Sequence, residues 1–200
     1  MLRSLPCPLP QDAALLVIDL QKAIDHPSWG ARNNPDAERN VAMLLEAWRG
    51  SNRPVYHIRH DSTEAASHYR PGQPGHEFKP EAQPLSGEAV LAKQTNSAFI
   101  GTDLEARLRA ARQTLLVVVG VITNNSVEAT VRMVGNLGFD TFLVEDGCFT
   151  FARKDWNGRL RTAAEVHTMS LANLDGEYCT VTRASDVLAA LRNGHAVTHG

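Results

Sequence analysis

Residues 115–131, L-L-V-V-V-G-V-I-T-N-N-S-V-E-A-T-V, constrain most what this chain can fold into. The first part is an unbroken apolar run rich in Val and Leu, the pattern of a strand buried on both faces. Gly120 interrupts the run. Thr123, Asn124, Asn125 and Ser126 then read as the cap of a helix, with Asn125 and Glu128 spaced like a capping box. The segment predicts a strand, a tight turn and a helix start. In an open parallel sheet, ligands bind at the carboxyl ends of such strands. The free N–H groups of a helix start favour negative charge there, and Ser126 is expected at the mouth of that crevice.

Further strands are expected at 13–19, 54–59, 88–92, 140–145 and 177–182, the one at 88–92 being weak. Helices are expected from Asn34-Pro35 to about Gly50, from a Thr102/Glu105 capping box to about Arg112, and from Ser126 to Gly138. Two more are expected from a Thr162/Glu165 box to near Gly176 and from about Ser185 to Gly194. Strands and helices alternate, which predicts a three-layer α/β/α sandwich around a six-stranded, mostly parallel sheet. The proline-bearing residues 1–12 read as an irregular arm, and residues 21–34, 62–87 and 146–161 read as loops. Pro71, Pro74, Pro80 and Pro84 exclude a long regular element from the second loop, and loops of that length in a compact domain are usually functional.

At 200 residues, with no repeat or linker, one domain spanning 1–200 is expected. The formal charge of -2, with both signs scattered, points away from nucleic acid and from anionic membranes. No apolar run has the length of a membrane span, and the N-terminal segment has no signal-peptide pattern. Cys7, Cys148 and Cys179 lack metal-ligand spacing and read as reduced thiols of a cytoplasmic protein.

Three polar residues fall at expected strand ends: Asp19 after the first, Lys93 after the third and Ser126 after the fourth. An acid, an amine and a hydroxyl converging on one crevice suit hydrolysis. The acid can take a proton, the ammonium can stabilise an anion, and helix-start N–H groups can hold an oxyanion. Position alone leaves the bland readings open: Asp19 as a turn residue, Lys93 as a surface charge, Ser126 as a helix cap.

The segments L-L-V-I-D-L-Q (15–21), K-Q-T-N-S-A-F-I-G-T-D-L (93–104) and G-V-I-T-N-N-S-V-E-A-T-V-R (120–132) resemble the isochorismatase-like cysteine hydrolases. The likeness runs from about Ala13 to about Thr182. It implies the three-layer fold, a homo-oligomer (dimer or tetramer), no cofactor, and cleavage of a C–N bond in an amide, carbamoyl or ureido compound. The family's acid falls on Asp19 and its lysine on Lys93. The resemblance further implies a cis peptide bond between Val121 and Ile122, which would turn the Ile122 N–H, with that of Ser126, towards an oxyanion.

The departure is at the nucleophile, where the family's cysteine is Ser126. A thiol is readily drawn to thiolate, whereas a serine hydroxyl needs a base acting during attack. Four readings follow: a serine nucleophile; a positioning serine beside Asp19 as acid or base, as in members that split a vinyl ether; an engineered replacement; or a binding protein without catalysis. Cys148 is expected just past the fifth strand, as a packing residue beneath the loop. Gln21, Trp29, His60, Asn96, Phe99 and Asn125 are candidate contacts for a small-molecule substrate, with Phe99 equally a core residue. His60, Asp61, His68 and His76 do not reproduce the metal-binding spacing of the nicotinamidases, so no metal site is expected, and His68 and His76 read as loop surface.

Overall fold

The computed structural model describes residues 4–192. Its centre is a six-stranded, all-parallel sheet of β1 (Ala14–Ile18), β2 (Val55–His60), β3 (Ala89–Lys93), β4 (Leu115–Val121), β5 (Asp140–Phe149) and β8 (Thr180–Thr182). The spatial order is β3-β2-β1-β4-β5-β8. The chain winds outward in both directions from β1 and β4, so the crevice at their carboxyl ends is the switch point of the sheet. A small antiparallel hairpin of β6 (Arg153–Lys154) and β7 (Leu160–Arg161) stands apart from it.

Side chains alternate across the buried strands and build two cores. Leu15, Val17, Val117 and Val119 face α1 (Ala37–Gly50) and α5 (Ala184–Arg192), meeting Val41, Leu44, Leu45, Trp48 and Val187. Leu16, Ile18, Leu116 and Val118 face α2 (Leu104–Ala110), α3 (Glu128–Asn136) and α4 (Ala163–Leu174), meeting Leu104, Leu108, Val131 and Leu174. The Trp48 indole also donates to the Ala13 carbonyl at 3.0 Å, which satisfies its one polar atom inside the core.

Several boundaries differ from the sequence expectation. Asn34 does not open a helix. It has a left-handed φ of 45°, and its amide donates to the carbonyls of Glu145 and Cys148, so α1 begins at Ala37. The Thr102/Glu105 box is not formed, because Thr102 donates to the Ala98 carbonyl and Glu105 pairs with Arg109. The Thr162/Glu165 box is formed. Residues 21–34 contain two 3-10 turns, Lys22–Asp25 and Pro27–Trp29. The fifth strand runs four residues further than expected. After a register shift, Cys148 and Phe149 pair with Gly120 and Val121, so Cys148 lies within the sheet. The last strand starts at Thr180, since the amides of Glu177, Tyr178 and Cys179 all turn back to the Leu174 carbonyl. The expected helix end at Gly194 lies outside the described residues. Residues 4–12 form no helix or strand, and they are pinned where the N–H of buried Leu9 donates to the Ala190 carbonyl.

Gly120 is where sequence and sheet meet most tightly. Its φ is 125°, and a Cβ built there would sit 2.1 Å from the Ile18 carbonyl oxygen. Gly120→Ala is therefore expected to lower unfolding free energy by about 3 kcal/mol, through overpacking plus backbone strain. Urea unfolding of the two proteins checks this, and equal midpoints would overturn it.

Candidate active site

β1 ends in Asp19, whose φ of 51° turns the chain out of the sheet at the crevice. β3 ends in Lys93, paired in register with His60 of β2. β4 runs into a π-helical turn, Thr123–Val127, that leads directly into α3. Three elements distant in sequence thus deliver an acid, an amine and a hydroxyl to one point. The Lys93 ammonium donates to Asp19 Oδ2 at 2.6 Å, to the Thr95 carbonyl at 3.0 Å and to Ser126 Oγ at 3.3 Å. Asp19, Lys93 and Ser126 are all buried. Burial raises the Asp19 carboxyl above the usual carboxylate range, although the Lys93 ammonium and the Ser126 hydroxyl both act against it. Asp19 Oδ1 is buried with no hydrogen-bond partner.

The turn holding Ser126 is not capped as expected. The amides of Asn125 and Val127 bond to the Ile122 carbonyl, so backbone replaces the Asn125 side chain. Glu128 binds Arg132 and Ser170 instead of closing a box. Asn125 is exposed, and the Val121–Ile122 peptide bond is cis. The turn is also gripped from behind by α4: the Ser170 hydroxyl reaches the Thr123 carbonyl and Glu128, and His167 Nδ1 lies 2.9 Å from Thr123 Oγ1. Burial lowers the affinity of His167 for a proton.

The remaining candidates divide. His60 sits at the crevice with its ring against the edge of Tyr69, and burial favours its neutral form. Asn96 is exposed, next in the chain to Thr95, whose carbonyl accepts from Lys93. Gln21 is fully buried. Its amide accepts from the His60 N–H and donates to the carbonyls of His60 and His76, so it is fully engaged in holding backbone. Trp29 donates to the Ala23 carbonyl and stacks on Phe151. Phe99 packs against Phe139, at the amino end of β5 and away from the crevice. Both are half-buried against these aromatic neighbours. Cys148 is fully buried, and desolvation raises its thiol far above the ordinary range, so it offers no substitute nucleophile.

In the loop after β2, Asp61 pairs with Arg59 and with His76, which makes His76 a structural partner rather than loop surface. His68 stacks on His26. Among the described residues, no group of three His, Cys, Asp or Glu side chains is placed to hold a metal ion. Sequence reasoning missed Tyr69, whose buried hydroxyl donates to the Asp19 carbonyl at 3.4 Å. The only signal was an aromatic residue in a mostly polar loop that also carries Phe78 and Leu85. It also missed His167, one imidazole on a mostly apolar helix.

The isochorismatase domain model matches residues 13–186. The chain belongs to the isochorismatase family. It is 39% identical over 175 residues to the isochorismatase family protein YrdC of Bacillus subtilis, covering 88% of this chain and 94% of that protein. An isochorismatase-family structure from Chromobacterium violaceum superposes with a TM-score of 0.91 at 64% identity, covering 94% of this chain and 99% of the other. Streptothricin hydrolase of Streptomyces noursei is 34% identical over 141 residues, 69% of this chain and 50% of that enzyme.

In this isochorismatase-family site, the Asp19–Lys93 pair makes a testable electrostatic statement. Removing one member of a buried pair leaves an uncompensated charge, which costs about 3–5 kcal/mol. In Lys93→Met the Asp19 carboxyl escapes that cost only by keeping its proton. Its folded-state pKa is already raised, so the stability of the variant is greatest at low pH and is lost as pH rises through that pKa. Urea unfolding is expected to show a larger deficit for Lys93→Met at pH 8 than at pH 4. The double variant Asp19→Asn/Lys93→Met is expected to recover most of it. A deficit independent of pH would overturn this account.

Proposed function

We propose that this chain is a hydrolase that cleaves a C–N bond of a small amide, carbamoyl or ureido compound, with Asp19, Lys93 and Ser126 as its catalytic residues. The observation that carries the reading is the Lys93 ammonium bridging Asp19 Oδ2 and Ser126 Oγ inside a buried crevice. Membership of the isochorismatase family and the likeness to streptothricin hydrolase support hydrolysis.

The steps balance with these groups alone. Ser126 Oγ attacks the carbonyl carbon while its proton passes to the Asp19 carboxylate, a stronger base than an exposed one because burial raises its proton affinity. The negative charge that forms on the carbonyl oxygen is held by the N–H groups of Ile122 and Ser126. The C–N bond then breaks, and the leaving nitrogen takes the proton from Asp19. Water gives a proton to Asp19 and attacks the acyl-serine carbonyl; the bond from that carbon to Ser126 Oγ then breaks, Asp19 returns the proton to Ser126 Oγ, and the acid leaves. Lys93 keeps the carboxylate ionised enough to act as a base and orients Ser126 through its second hydrogen bond. In this reading His60, half-buried beside Tyr69, and exposed Asn96 serve as substrate contacts.

A second reading has two observations in its favour. The raised pKa of Asp19 and its unpartnered Oδ1 suit a protonated acid, which would donate to a vinyl-ether-type substrate while Ser126 only positions it. The pH profile separates the two. A base mechanism loses rate on the acid side, below the raised pKa of Asp19, whereas an acid mechanism loses rate on the alkaline side, above it.

Ammonia release from a panel of amides, carbamoyl and ureido compounds tests the proposal with the native chain, Ser126→Ala, Ser126→Cys and Asp19→Asn side by side. Ser126→Ala and Asp19→Asn are each expected to lose at least ~100-fold in kcat/KM. A Ser126→Ala variant as active as the parent would remove the nucleophilic role. Activity confined to Ser126→Cys would mark the native chain as a binding protein on an intact scaffold.

A further inference from the structure

α4 turns one stripe inward: Ala163, His167, Ser170 and Leu174, at helical spacing, are its buried residues. Packing alone would fill such a stripe with apolar side chains, because a buried polar group costs free energy unless it is hydrogen-bonded. Its two middle positions are instead an imidazole and a hydroxyl, and both reach the turn that carries Ser126. His167 Nδ1 lies 2.9 Å from Oγ1 of Thr123, a residue with no exposed surface that begins the turn. The Ser170 hydroxyl lies 2.5 Å from Glu128 Oε2 and 3.4 Å from the Thr123 carbonyl. A hydroxyl has one hydrogen to donate, and the shorter contact takes it. The hold of α4 on Thr123 therefore rests on His167.

The imidazole is itself held on its other side. Nε2 lies 3.4 Å from Asn34 Nδ2 and 3.8 Å from Glu145 Oε2, and the Asn34 amide also donates to the Glu145 and Cys148 carbonyls of β5. Glu145 in turn pairs with Arg183. With neighbours at both ring nitrogens, the imidazole is fixed in orientation. It ties the turn after β4 to the loop after β1 and to β5.

We infer that His167 is a positioning residue, which fixes Thr123 so that Ser126 Oγ meets the Lys93 ammonium and the Ile122 N–H stays aimed at the substrate oxygen. Thr123 follows Ile122 directly and Ser126 lies three residues further on, so a displaced Thr123 carries both with it. Lys93 meets Ser126 Oγ from the front at 3.3 Å, and His167 holds the turn from behind. The imidazole acts through Thr123 and touches no substrate. The inference rests on the proposed role of Ser126, and it adds the residue that sets the hydroxyl in place.

Steady-state kinetics of His167→Ala, His167→Asn, His167→Gln and Thr123→Val test it, on the panel compound that the native chain turns over. An Asn amide reaches the place of Nδ1 and can present a donor or an acceptor to Thr123, whereas a Gln amide reaches the place of Nε2. His167→Ala and His167→Gln are each expected to lose at least ~10-fold in kcat with KM within ~3-fold, and His167→Asn to recover kcat to within ~3-fold of the native chain. Thr123→Val is expected to match His167→Ala, and the double variant to lose no more than either alone. Equal losses in His167→Asn and His167→Gln, or a loss carried by KM, overturn the inference. A second arm needs no turnover. In Ser126→Cys the new thiol stands beside the Lys93 ammonium, which favours thiolate. Its alkylation by iodoacetamide at pH 7, followed by mass spectrometry of the peptide carrying position 126, is expected to slow ~10-fold when His167→Ala is added and to recover with His167→Asn. An unchanged rate overturns the inference whatever the activity. Should Ser126→Ala prove as active as the parent, the proposed role of Ser126 fails, and the alkylation rates alone decide the role of His167.

Discussion

The ion pair between Asp19 and Lys93 is the constraint on which the rest of the structure depends. Two charges with almost no exposure meet at 2.6 Å at the carboxyl edge of the sheet. Taking such groups out of water costs several kcal/mol per ion, recovered only by close geometry and by hydrogen bonds to the remaining valences. The lysine meets that condition with the Thr95 carbonyl and Ser126 hydroxyl as its other acceptors. The aspartate meets it only in part, because Oδ1 has no partner. That residue of unsatisfied polarity raises its affinity for a proton. The same imperfection that weakens the fold is what the proposed proton transfer through Asp19 draws on.

Much of this was legible in the sequence, for a definite reason. The site residues lie at the ends of strands whose apolar runs are long and Val-rich, and a parallel sheet aligns all such ends on one edge. Asp19, Lys93 and Ser126 could therefore be placed together from periodicity and family likeness, and the six-stranded sheet followed from the alternation of elements. What could not be read was competition for hydrogen bonds. Asn34, Thr102 and Asn125 each have the chemistry of a cap, yet the first two found partners distant or differently placed in the chain, and backbone took the role of the third. Gln21 and Trp29, read from the sequence as substrate contacts, are each tied to a main-chain carbonyl, which the sequence pattern did not reveal. Tyr69 escaped notice because a loop has no period from which an inward-facing position can be inferred.

The extension of β5 shows how a local allowance moves a boundary. A Cβ at Gly147 would lie 2.9 Å from Val119 Cγ1. Without a side chain there, the strand stays against β4 past the shift in register and carries Cys148 and Phe149 into the sheet. Polar Glu145 and Asp146 suggested an end, but they mark only where the strand leaves one face: Asp146 accepts from the Ala184 amide at the start of α5.

Gln21 closes a strap. Its side chain joins the end of β2 to the His76 carbonyl, while the backbone of residues 20–22 bonds to that of residues 77–79. The long loop after β2 is thus fastened at its return, and Tyr69 fastens it once more at the Asp19 carbonyl. Between these anchors, Thr63, Glu64, Ala65 and Ala66, and then Arg70, Pro71, Gly72 and Gln73, are exposed. Sequence can drift, lengthen or shorten in those two bights without disturbing the buried ion pair. A lineage could therefore change the outer wall of the crevice, and with it the range of molecules admitted, while inheriting the chemical centre unaltered.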